Sequence, residues 1–278
     1  MKRIMILAAA LLCTQAFAQL TPEQYKEKYD RQVRNVGYSG VGVETILDNW
    51  EAVAPQDGDM LLGRFNYFLY KGRSTSVVAK DRNKFLGARP TLTLKDTEGR
   101  DVNYFEEVFY DDQWFGMSQQ TIDRLIGMYP YELLYRFSKI NSLIDYEKES
   151  PDMALLEIRK FISDYSADKG GAWTLRGEPV GEDDFLNFVQ DYCASLYAIG
   201  SADSFGAFYE ISTIMNKAYP RKTTFLDNMG SYWLVCMKNG KKAMAYYNKA
   251  LKINPEDEVA QKNKAIAAKQ MENDKKKK

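Results

Sequence analysis

Any chemistry in this chain would have to come from carboxylates, because its 278 residues include no histidine. That removes Ser-His-Asp and Cys-His nucleophilic catalysis and nearly all zinc chemistry. Acidic residues gather at Asp111-Asp112, at Glu182-Asp183-Asp184, and around Asp96, Glu98 and Asp101. Two such groups could serve as acid and base on a glycosidic bond. Each cluster also has a purely structural reading. The first two open stretches of helical periodicity, where acids complement the helix dipole, and the third surrounds a glycine turn. None has the D-x-D-x-D-G spacing of a calcium loop, so neither a metal nor a cofactor is expected. Of the three cysteines, Cys13 lies in the N-terminal leader, leaving Cys193 and Cys236. An exported protein could join them. Their places in successive helices differ by about seven residues, roughly 10 Å of helix, against the ~7 Å that a bridge tolerates. Buried free thiols are the better expectation.

The leader is legible on its own. Met1-Lys2-Arg3 is a basic start, Ile4 to Cys13 an apolar run, and Ala16-Phe17-Ala18 a small-residue cleavage site. This is the pattern of a secretory signal peptide over 1–18, cut before Gln19. The apolar run is too short to span a bilayer, so no stable membrane insertion is expected after cleavage and the mature chain should be periplasmic or secreted. Lipidation at Cys13 is disfavoured by Leu12, where a small residue is usual. Charge is balanced at 38 basic and 38 acidic residues. With no basic block in the folded part, nucleic acid is not an expected partner.

The elements that would hold any site are helical. From Leu226 to Pro255, Leu226, Met229, Gly230 and Trp233 recur at helical spacing. After Asn239-Gly240, Ala243, Tyr246, Tyr247, Ala250 and Leu251 do the same. Pro255 ends the second helix. Apolar stretches also run into Pro55, Pro130 and Pro220, and Pro220 and Pro255 are 35 residues apart. After the prolines the same opening motif returns as Leu62-x2-Phe65-Asn66, Leu134-x2-Phe137-Ser138 and, more weakly, Gln190-x2-Cys193-Ala194. Leu20 to Gly42 reads as one amphipathic helix, with Tyr25, Tyr29 and Val33, followed by a glycine-bearing turn, and further helices are expected over Asp112 to Tyr129 and from a Ser150-Pro151 cap to Tyr165. The remaining pairs fall near 183–199 with 203–219 and 223–238 with 241–254. An insertion at about 73–111 splits one pair. In it Thr91–Leu94 and Val102–Tyr110 flank a turn and read as a β-hairpin. Lys169 to Gly181, with Trp173 and Pro179, reads as a long ordered loop. A polar helix over 256–271 would cap the stack, and the basic tail 272–278 should be disordered.

The best copy, 223–256, resembles a tetratricopeptide repeat (TPR). Leu226-x2-Met229-Gly230-x2-Trp233 followed by Ala243-x3-Tyr247-x2-Ala250-x4-Pro255 stands against the family's W-x2-L-G-x2-Y…A-x3-F…P. The order of features along the chain is similar to that of secreted TPR proteins of Bacteroidetes-type bacteria, which carry no assigned activity. The resemblance implies a mainly α fold, an α-solenoid of TPR-like helix pairs over 19–271 with the hairpin inserted in one repeat. It also implies a concave face lined by the first helices, at Gly63, Tyr67, Tyr70, Tyr135, Lys139, Asp191, Ser195, Asp227 and Ser231. The family's Lys/Asn clamp for free C-termini is absent, since only Lys139 and the adjacent Arg136 are basic there. The expected partner-binding residues are Tyr67, Tyr70, Tyr135, Arg136, Lys139 and Asp191. An equal alternative is that the tyrosines pack between helices. The expected function is an exported, non-catalytic scaffold or adaptor for a protein or peptide partner at the cell envelope. Two alternatives are an envelope hydrolase with paired carboxylates near the hairpin, and a glycan-binding accessory protein using Trp114 and Trp173 as stacking platforms.

Overall fold

A computed structural model describes residues 20–168 and 171–276 of the chain. The expected leader and the last two residues of the tail lie outside them. The architecture is mainly α, a solenoid of TPR-like helix pairs with a β insertion. Among the described residues there are five pairs: α1 (Pro22–Val36) with α2 (Val43–Val53), α3 (Gly58–Lys71) with α4 (Asp112–Met128), α5 (Leu133–Glu147) with α6 (Asp152–Ala167), α7 (Glu182–Ile199) with α8 (Ala202–Ala218), and α9 (Thr224–Ser231) with α10 (Gly240–Ile253). A final helix, α11 (Glu258–Lys276), packs on α10. It runs to Lys276 rather than ending at 271, so most of the tail expected to be disordered is helix. None of the described helices is long and apolar enough to cross a membrane.

The repeat is most visible where each second helix ends. Ala54, Tyr129, Tyr219 and Asn254 each precede a proline, which pushes them out of the helical region. Their φ values lie between −128° and −140°, and their N–H groups still bond the carbonyl four residues back. Asp168, which ends α6 without a proline, adopts the same conformation at φ −132°. With proline fixed at the next position, the chain turns: Asp57, Glu132, Lys222 and Asp257 N–H groups bond the carbonyls three residues back, at 3.0–3.2 Å. Three of these four residues are acids that then cap the next helix, through the amides of Met60, Leu134 and Ala260.

Packing between pairs is close. A Cβ on Gly230 would stand 2.5 Å from the buried ring of Tyr247, so α9 and α10 touch only because residue 230 has no side chain. The expected helix 223–238 does not stay regular. Its last turn, Tyr232–Cys236, widens to a π-turn, with the Met237 amide bonding the Tyr232 carbonyl. Tyr232 and Trp233 both lie against Tyr209 of α8 in this arrangement. Another correction concerns Ser150-Pro151. Pro151 is the residue before α6 but provides no side-chain cap. The Glu147 carboxylate caps α6 instead, accepting from Met153 and Ala154 at 2.6 and 2.8 Å, while the Ser150 hydroxyl donates to Asp203.

The insertion is larger than a hairpin. Strands β1 (Arg73–Lys80), β2 (Leu92–Lys95) and β3 (Asp101–Tyr110) form an antiparallel sheet in the order β1-β3-β2. The expected strands are β2 and β3, and β1 was not foreseen. The sheet leaves α3 and re-enters α4 at one point, where the Asp111 amide bonds the Gly72 carbonyl at 2.9 Å. Because the neck closes on itself, α3 and α4 pack as an uninterrupted pair.

Cys193 is buried beside Ser212 and Cys236 is half-buried, and both are free thiols. Burial pushes the two thiols up to about 12 and about 11.

Two outcomes follow for stability. Gly230→Val should lose at least about 2 kcal/mol by overpacking against Tyr247, read as a lower urea midpoint. The second concerns Asp227, a buried residue of α9 paired with Asp257 before α11. Burial, then the charge of Asp257 and a hydrogen bond to it, raise the Asp227 carboxyl from 3.8 to about 7. Asp257 is held below the usual range: burial opposes this, but the Ala260 amide and contacts with Thr223 and Asp227 outweigh it. A native pKa above the unfolded one gives stability that is complete below the unfolded value of 3.8 and lost as pH rises to about 7. Thermal melts should therefore fall between pH 5 and pH 8 in the wild type. Asp227→Asn should flatten that fall and be the more stable protein at pH 8, by on the order of 2 kcal/mol.

Candidate functional site

A groove runs between α5 and α7, the first helices of successive pairs. Leu134, Phe137 and Asn141 line it from α5, and Phe188, Asp191, Tyr192 and Ser195 from α7. Phe137 meets Phe188 and Tyr192 across the floor, with ring centroids 4.7 and 6.0 Å apart. This part has a volume of about 640 Å³. A second part, of about 590 Å³, continues from it and shares Asn141 and Ser195. It ends against Asp145 of α5, Lys148 just past its end, Ala198 and Ile199 of α7, and the sheet insertion.

Each end of the groove is walled by one of the two segments that interrupt the repeat. At the N-terminal end of α5 the wall is a two-residue hairpin, β4 (Thr174–Leu175) and β5 (Glu178–Pro179). It carries Leu175, Arg176 and Glu178 to the cavity. Its turn residues Arg176 and Gly177 both have positive φ, 55° and 82°, as the tight turn matched to strand twist requires. Glu132 holds this turn in place. Its carboxylate accepts from the Thr174 hydroxyl (2.9 Å) and from the amides of Arg176 (2.7 Å) and Gly177 (3.1 Å), while also capping α5. Below it Trp173 is buried between Tyr131, Tyr165 and the Arg136 guanidinium, its indole N–H donating to the Asp168 carbonyl.

At the other end stands the sheet. Glu107 of β3 lies between Lys148 (2.5 Å) and Lys80 (3.1 Å). Burial would raise its carboxyl, but the two ammonium groups outweigh that and hold it below the usual range. This ion pair ties the sheet to the end of α5. The loop between β1 and β2 reaches farther, to α7. There Gly87, at φ 82°, passes so close that a Cβ would stand 2.9 Å from the Ala198 carbonyl oxygen.

The residues expected on the concave face are distributed unevenly. Asp191 and Ser195 line the groove. Tyr67 is 2% exposed within the core of the first pairs, its hydroxyl pushed up to about 12 by burial and Glu44. Tyr70 is exposed, 4.8 Å from Tyr38 and with the Arg73 guanidinium over its ring. Tyr135 is half-buried against Tyr129. Lys139 is held between Asp123 and Glu157, both at 2.7 Å. Arg136 is buried on Asp164 and the Pro130 carbonyl. On α5 the groove therefore takes Leu134, Phe137 and Asn141 instead of Tyr135, Arg136 and Lys139. Gly63 lines a smaller cavity, about 290 Å³, between α1 and α3. Asp227 is buried beside Asp257, and Ser231 lines a cavity of about 470 Å³ between α7, α9 and α11. Glu132 was not anticipated, although Pro130-x-Glu132 repeats the spacing of Pro55-x-Asp57 and Pro255-x-Asp257.

The carboxylate clusters are occupied structurally. Asp111 caps α4 and Asp112 accepts from Tyr146. Asp184 binds the Gly181 amide and Asp183 pairs with Lys222. Asp96 gathers the Glu98 and Arg100 amides, and Asp101 pairs with Lys95. Trp173 offers no open face to a sugar, and Trp114 is half-buried beside Phe68. Among the described residues no group of three or more metal-ligating side chains occurs.

No family model matches the chain, and neither does any curated protein. Among solved structures it is similar to YrrB, described as a TPR protein with an unusual peptide-binding site. The likeness has 10% identity and a TM-score of 0.39, over 88% of this chain and 92% of that chain.

Glu132→Gln should leave the helices intact and loosen the hairpin wall. The amides of Arg176 and Gly177 would exchange with deuterium about 10–100-fold faster, the expectation for losing charge-assisted hydrogen bonds.

Proposed function

We propose that the protein is an exported, non-catalytic scaffold that holds an extended segment of a partner polypeptide in the groove between α5 and α7, at the cell envelope. The observation that carries this reading is the placement of both insertions at the two ends of one groove between neighbouring first helices. Each part alone has the size of a small-molecule site. In line, the two parts follow α5 for about 20 Å, the reach of roughly six extended residues. Tyr192 adds a polar group without a partner, since its hydroxyl is buried at the groove wall with no hydrogen bond. A backbone carbonyl of a bound segment could accept from it after a small shift of the ring. Export is supported by the leader pattern of residues 1–18. The non-catalytic reading is supported by the absence of histidine and by the structural occupation of every carboxylate cluster.

Photo-crosslinking in intact cells tests this. A benzophenone amino acid at Asn141 or Ser195 should give the same discrete crosslinked polypeptide, whereas one at Lys160 on the outer helix α6 should not. Crosslinks of equal pattern from all three positions would refute the groove. N-terminal sequencing of the mature protein should begin at Gln19.

A further inference from the structure

The charges at the hairpin end of the groove are not balanced, and their imbalance says what kind of segment would fit. Glu178 and Asp191 stand at the hairpin end, and Glu106 and Asp145 at the sheet end. Among the described residues none of these four makes an ion pair with a lysine or arginine. Glu107 lies between two lysines, a cluster with one surplus positive charge, and the charge of Arg73 acts on Asp145, so the sheet end as a whole is balanced. At the hairpin end the two carboxylates are met by a single guanidinium group. That group belongs to Arg176, on the tip of the hairpin turn. Between the charged ends the floor is apolar and aromatic, with Leu134, Phe137, Leu175 and Phe188. A half-enclosed cleft with apolar walls focuses the field of its unpaired charges. An occupant carrying cations gains from that field, and an acidic one is repelled.

We infer that the groove selects a basic, amphipathic segment, in which apolar side chains seated on the Phe137–Phe188 floor alternate with lysine or arginine facing Asp191 and Glu178. The inference rests on the peptide-groove reading above and adds the chemistry of the partner to it. An extended segment suits the arrangement, because successive side chains point to opposite sides. One set enters the floor while the other reaches the charged rims.

Three fluorescein-labelled peptides of equal length test it, with leucine and phenylalanine at alternate positions separated by lysine, by serine or by glutamate. Binding to the full mature chain is followed by fluorescence anisotropy. The lysine peptide should bind about tenfold more tightly than the serine peptide at low salt, with the difference shrinking as salt screens the rims. The glutamate peptide should be weakest. Asp191→Asn should reduce the preference for lysine with little change in the serine peptide. Glu178→Lys/Asp191→Lys should reverse the order of the charged peptides, with thermal melts showing that each variant is folded. Phe188→Ala should weaken all three. Equal binding of lysine and serine peptides, or tightest binding of glutamate, would overturn the inference and leave the peptide groove standing. Failure of all three to bind would remove both.

Discussion

The structure depends on how each second helix is made to stop. In four of the five pairs a proline two residues past the end forbids a further helical turn, and its ring forces the preceding residue into an extended conformation. The result is nearly the same backbone geometry at Ala54, Tyr129, Tyr219 and Asn254. Because the turn is stereotyped at these four junctions, the next helix starts from a similar backbone geometry each time. Similar steps repeated along a chain generate a stack, and a stack leaves its first helices side by side. Between α6 and α7 the proline turn is replaced by the hairpin segment, which walls one end of the groove between α5 and α7.

Insertions can be added to such a stack without disturbing it, provided they leave and return at one place. The sheet meets this condition at the bond between Asp111 and Gly72. The small hairpin after α6 meets it differently, by being tied down through Glu132 at the start of α5. That one carboxylate serves the repeat as a helix cap and the insertion as an anchor. The chain reuses a position that is acidic in three of the four proline turns, and so fixes a wall of the groove to the solenoid.

The helices were legible because their apolar spacing, prolines and glycine turns agree with one another. The sheet was half legible. Val102–Tyr110 alternates and is rich in aromatic and β-branched residues, and β3 lies at its centre. Arg73–Lys80, with three small hydroxyl residues among eight, has no such signature; it is a strand because β3 offers it a free edge along its whole length. The groove was legible only in part. Asp191 and Ser195 on α7 fell where the repeat register put them. On α5, Tyr135, Arg136 and Lys139 turn to neighbouring helices and to acids on them, since Asp123, Glu157 and Asp164 offer partners that sequence spacing cannot show.

The sequence by itself determined that this is a stack of helix pairs, where the pairs end, and where two segments depart from the pattern. Those are local matters, set by periodicity over a few turns and by the backbone limits of proline and glycine. Only the tertiary structure decided that residues 72–111 and 171–181, about 60 or more positions apart along the chain, stand at opposite ends of one groove. It also decided which carboxylates around that groove are left without a cation. Both facts depend on the direction in which each helix meets the next, which is fixed by contacts between residues that no local pattern links.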